Sequence, residues 1–385
     1  MDNQHIAFNK VYLTGNEYKY IQQAISNAKI SGGGFYTKKC QTLLEQKYGF
    51  YKCLLTNSCT AALEMAAILI GVKPGDEIIM PSFTFVSTAN AFLLRGAKIV
   101  FVDSQPGHPN MDASLITSLI TEKTKAIVVV HYAGVACDME KIMSIAVANN
   151  LFVVEDAAQA IDSFYHFSDG TRKPLGGIGH LGAFSFHETK NISCGEGGAL
   201  IINDPSFAER SEIIWEKGTN RCSFFRGEID KYRWVDIGSS FLPSEITAAF
   251  LFAQLEMIDV IQQKRKDIWT LYNSLFTEKK LNSIFKISEI PGYSDNNAHI
   301  FYLDCITNDK RKNLIEYLAK NNINAIFHYL SLHKSPFFLE KHDGRELPQS
   351  DYYSDTLLRL PLYLELTKAD IERVVQTISD FSKNE

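Results

Sequence analysis

The sequence has little of what marks a secreted, membrane-bound or metal-dependent protein. Its seven cysteines among 385 residues are odd in number and widely spread, which does not suggest a disulfide framework. No CxxC pair occurs and no metal-ligand cluster stands out. His328 and His333 are five apart, the wrong spacing for one helical face. No apolar run approaches the ~18 residues of a membrane span; the nearest, Leu54–Val72, is interrupted by Asn57 and Glu64. The start, MDNQHIAFNKVYLTGNEY, has no basic stretch ahead of an apolar core, so no secretory signal is read there. A basic excess is missing as well. With a formal net charge of −5 the chain has nothing spare to neutralise a nucleic acid. The expectation is a reducing, cytoplasmic protein with no metal, membrane or nucleic-acid partner. A nucleotide-linked small molecule stays open, because one pyrophosphate needs only a few local donors.

What is present is an ordinary globular balance, 45% hydrophobic and 22% charged. The length suggests two domains. Amphipathic helices are predicted over residues 16–29 and 37–48. Short apolar strands are predicted at Cys53–Leu55, Glu77–Met80, Lys98–Val102, Ala126–Val130 and Leu151–Glu155. Between them lie helices over Ala61–Ile70, within Ser82–Arg95 and near Asp138–Asn149. Alternation of this kind indicates βαβ units and a doubly wound α/β sheet covered on both faces, joined by right-handed crossovers. After about residue 245 the pattern changes. A strong helix runs over Glu245–Lys264 and beyond. The rest mixes a strand near Ala298–Cys305 with helices near Arg311–Lys320 and Lys368–Lys383. A large domain over 1–259 and a smaller α+β domain over 260–385 are expected, with no internal repeat.

Three short segments carry chemistry. Ser58-Cys59-Thr60 lies between a strand and a helix. Helix N-termini hold unsatisfied N–H groups and about half a positive charge, which suits a phosphate; an empty Ser/Thr cap is the plainer alternative. Asp156 ends the strand before Ala157-Ala158-Gln159. That is the sheet edge where doubly wound folds bind ligands, although an inert N-cap aspartate is the commoner use. Lys190 stands in Ser185-Phe186-His187-Glu188-Thr189-Lys190-Asn191, ahead of Gly195-Glu196-Gly197-Gly198. Small neighbours leave a lysine room in a pocket, and desolvation would free its amine to attack a carbonyl. Each signal alone is weak. Phosphate cup, strand-end acid and lysine in that order are much stronger.

These segments, with Pro74-Gly75-Asp76-Glu77 and Pro81-Ser82-Phe83-Thr84-Phe85, resemble the DegT/DnrJ/EryC1/StrS sugar aminotransferases from about residue 8 to the C-terminus. The resemblance implies a fold-type I aminotransferase dependent on pyridoxal 5′-phosphate. It implies that Lys190 carries the cofactor covalently and shuttles the proton, and that Asp156 pairs with the ring nitrogen. Gln159 would meet the ring hydroxyl. Ser185, Thr60 and the backbone of Cys59 would bind the phosphate. Phe85 would lie on one ring face and Ala158 on the other, with a plain core role for Phe85 about equally open. The family often has Gly-x-Asn-x-Arg where this chain has Gly238-Ser239-Ser240-Phe241-Leu242. Ser240 would replace the asparagine that reaches the neighbouring subunit's phosphate, with a shorter reach. Sites shared between subunits imply a homodimer or larger homo-oligomer.

Pro81–Asp103, Val130–Cys137, Phe184–Asn191 and Glu216–Arg226 are similar to the dTDP-4-amino-4,6-dideoxygalactose transaminases within that family. This implies transfer from L-glutamate to dTDP-4-keto-6-deoxyglucose for enterobacterial common antigen or O-antigen. The gluco epimer is the alternative product. Arg226, in the polar loop Thr219–Arg226, suits a nucleotide diphosphate, and His328 and His333 are candidate sugar contacts. A dehydratase relative would carry histidine in place of Lys190. A non-enzymatic regulatory relative would not be expected to keep Lys190, Asp156 and Gln159 together.

Overall fold

The computed structural model describes residues 4–287 and 289–383. Seven strands form the central sheet: β1 (Lys52–Thr56), β2 (Glu77–Pro81), β3 (Lys98–Val102), β4 (Thr124–Val130), β5 (Phe152–Asp156), β6 (Leu181–Ser185) and β7 (Gly198–Ile202), in the order β1-β7-β6-β5-β4-β2-β3. From β6 through β5, β4 and β2 to β3 the pairing is parallel, whereas β7 runs antiparallel to both β1 and β6. The sequence pattern set no strand at β6 or β7: β6 follows a glycine-rich stretch at 176–182, and a glycine-rich lead-in hides the Ala199–Ile202 apolar run of β7. Of the inner strands, β2, β6 and β7 are buried throughout and β4 and β5 after their first one or two residues, the mark of a sheet covered on both faces.

Helices α1 (Glu17–Ser26) and α2 (Phe35–Tyr48) pack on α8 (Glu245–Glu256). Their junction is pinned by Glu245, a buried carboxylate that accepts from the N–H groups of Gly34, Tyr36 and Thr37 and from the Thr37 hydroxyl. Helix α3 (Cys59–Leu69) is lined almost entirely by small or apolar buried residues, so it can lie flat against the sheet. Helix α4 (Val86–Leu93) runs beside it, α5 (Met139–Ala148) joins β4 to β5, and α6 (Ala208–Trp215) and α7 (Arg221–Phe225) lie between β7 and α8 along the chain.

The expected continuous helix from Glu245 is two helices. α8 ends at Glu256 and α9 (Ile258–Glu278) starts after Met257, whose backbone (φ −104°, ψ 11°) leaves the helical path. No Pro or Gly marks this break in the sequence. Beyond it, Lys286–Ile287, Phe301–Asp304, Leu357–Leu360 and Ile326–Phe327 form a second, antiparallel sheet. The helices Asn308–Lys320 and Lys368–Lys383 pack there with α9 around a separate core that includes Phe276, Phe301, Leu318 and Ile378. Ile6 joins this second core and bridges to Ile323, so the N-terminal segment touches both parts. Among the described residues no helix is long and apolar enough to cross a membrane.

Candidate active site

The ends of β1, β5 and β6 converge at one edge of the sheet. Thr56 and Ser185 both pair with Gly198, and Ala183 pairs with Asp156. The turn joining β6 to its antiparallel neighbour β7 carries Lys190 across this edge, and the Lys190 N–H donates to the His187 carbonyl. The next residue is clamped. Asn191 donates to Gln262 and to the Asn297 carbonyl, while its side-chain oxygen meets His299 Nδ1 at 2.8 Å. Lys190 is therefore held from behind by α9 and the segment after it.

Burial pushes the Lys190 ammonium below its ordinary pKa. Cys59 and Asp156 oppose this and Arg359 adds to it. The Cys59 thiol is itself pushed far up by burial, so it carries no charge at neutral pH and Asp156 is the effective opposing group. An amine eased toward its neutral form beside a carboxylate is suited to attack a carbonyl.

Asp156 is buried, and burial pushes its carboxyl above the ordinary range; bonds from the Thr88 hydroxyl (2.7 Å) and the Ala158 N–H (3.1 Å) pull the other way. Thr84 and Thr88 hydroxyls lie 2.9 Å apart, extending the chain. The neighbouring Glu155 points the other way in the pleat. It accepts from Gly176, Ile178 and Gly179 N–H groups and from His131 Nε2. Because His131 Nδ1 accepts from the Cys137 N–H, the ring is a neutral Nε2–H tautomer in this pair. Glu155 thus ties the glycine-rich turn to the strand that presents Asp156.

Gln159 is fixed at both ends of its amide: Oε1 accepts from the Ala133 N–H at 2.6 Å and Nε2 donates to Tyr329 Oη at 3.1 Å. One Nε2 hydrogen remains for a ligand. Ser58 caps α3 by accepting from the Ala61 N–H at 3.0 Å, which leaves the N–H groups of Cys59 and Thr60 without intrahelical acceptors. Thr60 Oγ1 lies 2.9 Å from Ser87 Oγ at the start of α4. Gly198 faces this helix start. A Cβ there would lie 2.4 Å from the Cys59 nitrogen and 2.6 Å from the Ser58 oxygen, so only glycine lets β7 approach the cup this closely.

Lys190, Asp156, Gln159, Ser185, Cys59 and Thr60 are therefore brought together. Phe85 stands at the rim, 55% exposed, with its ring 6.0 Å from that of Tyr329. His328 is buried beside the site with Nδ1 2.9 Å from Tyr132 Oη, and burial holds it well below its ordinary pKa, hence neutral. The structure does not bring the other three candidates to Lys190. His333 is buried with Nδ1 2.8 Å from Ser82 Oγ and Nε2 3.5 Å from Asp351, so its ring joins the 331–342 segment to the end of β2. Arg226 pairs with Glu212 and Glu228 at 2.7 Å each. Ser240 has its carbonyl near Asn57 of its own chain and an exposed side chain. Sequence reasoning missed Thr88, Tyr329, Asn191 and Arg359. Of these only Asn191 adjoins a recognisable motif.

The profile of the DegT/DnrJ/EryC1/StrS aminotransferase family matches residues 12–379. The chain belongs to that family. It is a sugar aminotransferase dependent on pyridoxal phosphate. Among curated relatives, the GDP-perosamine synthase of Escherichia coli O157:H7 is 30% identical over 96% of this chain and 96% of its own. The spore coat polysaccharide biosynthesis protein SpsC of Bacillus subtilis is 30% identical over 87% and 86%. Among solved structures, PseC of Helicobacter pylori, an aminotransferase of pseudoaminic acid biosynthesis, superposes with a TM-score of 0.90 at 24% identity over 99% and 100% of the chains. At that identity the likeness bears on the fold alone.

The residues present fit the cofactor. A buried carboxylate, a lysine of lowered pKa and a helix start opened by Gly198 offer a partner for a pyridine nitrogen, an amine for an aldehyde and donors for a phosphate. When bound, pyridoxal phosphate supplies an electron sink for the carbanion formed at the amino-bearing carbon. Asp156 would hold the ring nitrogen protonated, and Lys190 would carry the proton between the reacting carbons. The Thr88 hydroxyl favours the ionised form of Asp156, against the burial that disfavours it.

Proposed function

We propose that this enzyme transfers the amino group of L-glutamate to C4 of dTDP-4-keto-6-deoxyglucose, giving dTDP-4-amino-4,6-dideoxygalactose for enterobacterial common antigen or O-antigen. The observation that carries the reaction is Lys190 set beside the buried, Thr88-held Asp156 at the sheet edge. The substrate reading is supported by the likeness of Pro81–Asp103, Val130–Cys137 and Phe184–Asn191 to the dTDP-sugar transaminases. These segments supply Thr84, Phe85 and Thr88, then Tyr132 and Ala133, then Ser185 and Lys190. Two half-reactions through one amine-carrying site give ping-pong kinetics.

Lys190, Asp156, Gln159, Ser185, Thr60, the Cys59 backbone and Phe85 bind the cofactor in this reading, and His328 borders the sugar. We assign Arg226 and Ser240 to the neighbouring subunit's site in a cytoplasmic homodimer. Support comes from apolar side chains of the same loop: Phe225 is 66% exposed and Trp234 84%, and exposed apolar area of this kind marks interaction sites. A large domain to residue 259 and a small one after it would form the two walls of the cleft.

Proton NMR of the product from purified enzyme, L-glutamate and dTDP-4-keto-6-deoxyglucose tests the reading. A small H3–H4 coupling identifies the axial amine of the galacto product, and a large one identifies the gluco epimer. The relative named for a GDP-linked product favours one second reading, a GDP-linked keto sugar. Competition between the two nucleotide sugars separates them.

A further inference from the structure

Among the described residues the Lys190 amine makes no hydrogen bond or ion pair, so no polar contact fixes its tip and the side chain is aimed from its backbone. Asn191 holds that end. Its amide nitrogen donates to the Asn297 carbonyl and to Gln262 Oε1, each at 2.9 Å. A backbone carbonyl can only accept, so the amide cannot be flipped and its oxygen faces His299 Nδ1 at 2.8 Å. His299 is therefore the donor, an Nδ1–H tautomer whose bare Nε2 has no partner among the described residues. Burial, helped by the positive charges of Lys190, Arg265 and Arg359, holds this ring well below its ordinary pKa, hence neutral.

The fold keeps His299 in place at a cost. Ala298 before it has left-handed backbone (φ 52°), which a residue with a Cβ holds only where its surroundings impose it. Arg265 grips the carbonyls of Ala298 and His299 at 3.1 and 2.7 Å. Its guanidinium is buried with no carboxylate partner among the described residues, an unfavourable place for a charge, and burial pushes its pKa down to about 9. Asn297 completes the frame. Its Oδ1 accepts from the His299 N–H at 3.1 Å, and its nitrogen donates to the Gln159 and Ile161 carbonyls. A Cβ at Gly134 would lie 1.9 Å from that Oδ1, so only glycine leaves room for it. Strain and a buried cation thus converge on a ring that makes one hydrogen bond, to the residue after Lys190. We propose that His299 is a positioning residue whose Nδ1–H, acting through Asn191, sets the direction from which the Lys190 amine meets the aldehyde of the cofactor. This role rests on Lys190 being the amine that takes the cofactor. A buried acceptor that loses its only donor must find another partner, and the root of Lys190 moves with it. Misplacing a reacting group by about 1 Å slows its reaction on the order of 100-fold.

The test follows capture of the cofactor, not turnover. Apo-enzyme is mixed with saturating pyridoxal 5′-phosphate, and the growth of the bound visible absorbance gives the capture rate. Pyridoxine 5′-phosphate, which has the ring and the phosphate but no aldehyde, reports whether the pocket itself is intact. His299→Leu removes the donor and should slow capture by about 10–100-fold, with the pyridoxine phosphate Kd within about threefold of wild type. His299→Asn puts an amide nitrogen where Nδ1 stood and should recover most of the rate, whereas His299→Gln puts it near Nε2 and should not. A wild-type capture rate in His299→Leu, an equal loss of pyridoxine phosphate affinity, or rescue by glutamine and not by asparagine would each overturn the assignment. Should His299→Leu not fold, the comparison of asparagine with glutamine decides alone. Borohydride marking of Lys190 in wild type together with unchanged capture in the variants sinks the positioning role alone; marking of another lysine sinks the Lys190 reading and this role with it.

Discussion

Replacing Gly198 with alanine isolates the contribution of one close approach. The added Cβ would sit 2.4 Å from the Cys59 nitrogen and from the Ser58 carbonyl carbon, where ordinary contacts begin near 3.4 Å. The obstacle is backbone, not a flexible side-chain tip. α3 is packed on both sides and anchored by its Ser58 cap, so the start of the helix must retreat by about 1 Å or β7 must give way, because cores absorb added atoms poorly. Hydrogen bonds lengthened that far are largely lost. Losing one N–H bond to a phosphate costs about 1.5–3 kcal/mol, or a ~10–100-fold weaker Kd. Fluorescence titration of the apo-enzyme with pyridoxal phosphate should show this loss. Pyridoxal, which lacks the phosphate, should bind the variant and wild type alike. Unchanged affinity for the phosphate form, or an equal loss for both ligands, would refute the argument that Gly198 opens a phosphate cup.

Three other perturbations follow from the same contacts. Thr88→Val removes the hydroxyl that favours the ionised form of Asp156, so an already raised carboxyl pKa rises further. A group whose folded pKa lies above its unfolded value loses its stabilising effect as pH rises through the folded value. Urea unfolding of the apo-protein should therefore show a deficit that grows from mildly acid to neutral pH, reaching about 1.5–3 kcal/mol; a deficit independent of pH contradicts the assignment. Glu245→Ala leaves the N–H groups of Gly34, Tyr36 and Thr37 without their acceptor and should cost about 3–5 kcal/mol, seen as a lowered unfolding midpoint; a loss under about 1 kcal/mol would mean water replaces the carboxylate. Arg226→Ala should raise the sugar KM and spare the glutamate half-reaction, whereas equal damage to both assigns the residue to holding its loop through Glu212 and Glu228.

The parts of the site legible in the sequence are those where chemistry and local structure coincide. Asp156 ends an apolar strand, Ser58-Cys59-Thr60 begins a helix, and Lys190 precedes Gly197-Gly198, so each motif and its sheet-edge position are read from a few adjacent residues. Contacts between distant segments are not written locally. Thr88 reaches Asp156 across 68 residues and Tyr329 reaches Gln159 across 170, and nothing near either residue forecasts it. The same limit explains Arg226 and His333. Their residue types suit anions and sugars, but Glu212, Glu228 and Ser82 are placed beside them by the fold. In the sheet, the alternation of apolar strands and helices marked β1 to β5, while β6 and β7 escaped because glycines precede both. The break at Met257 has no local signal; Ile258 and Ile261 still join the core that α8 lines, and α9 enters the second core from Ile268 on.

The central claim is that Lys190 carries the cofactor. Borohydride reduction of the enzyme loaded with pyridoxal phosphate, followed by digestion and mass spectrometry, tests it directly. A phosphopyridoxyl group on Lys190, absent from Lys190→Ala together with the bound visible absorbance and turnover, is the predicted result. A modified lysine elsewhere, or a Lys190→Ala enzyme with full activity, would contradict the account.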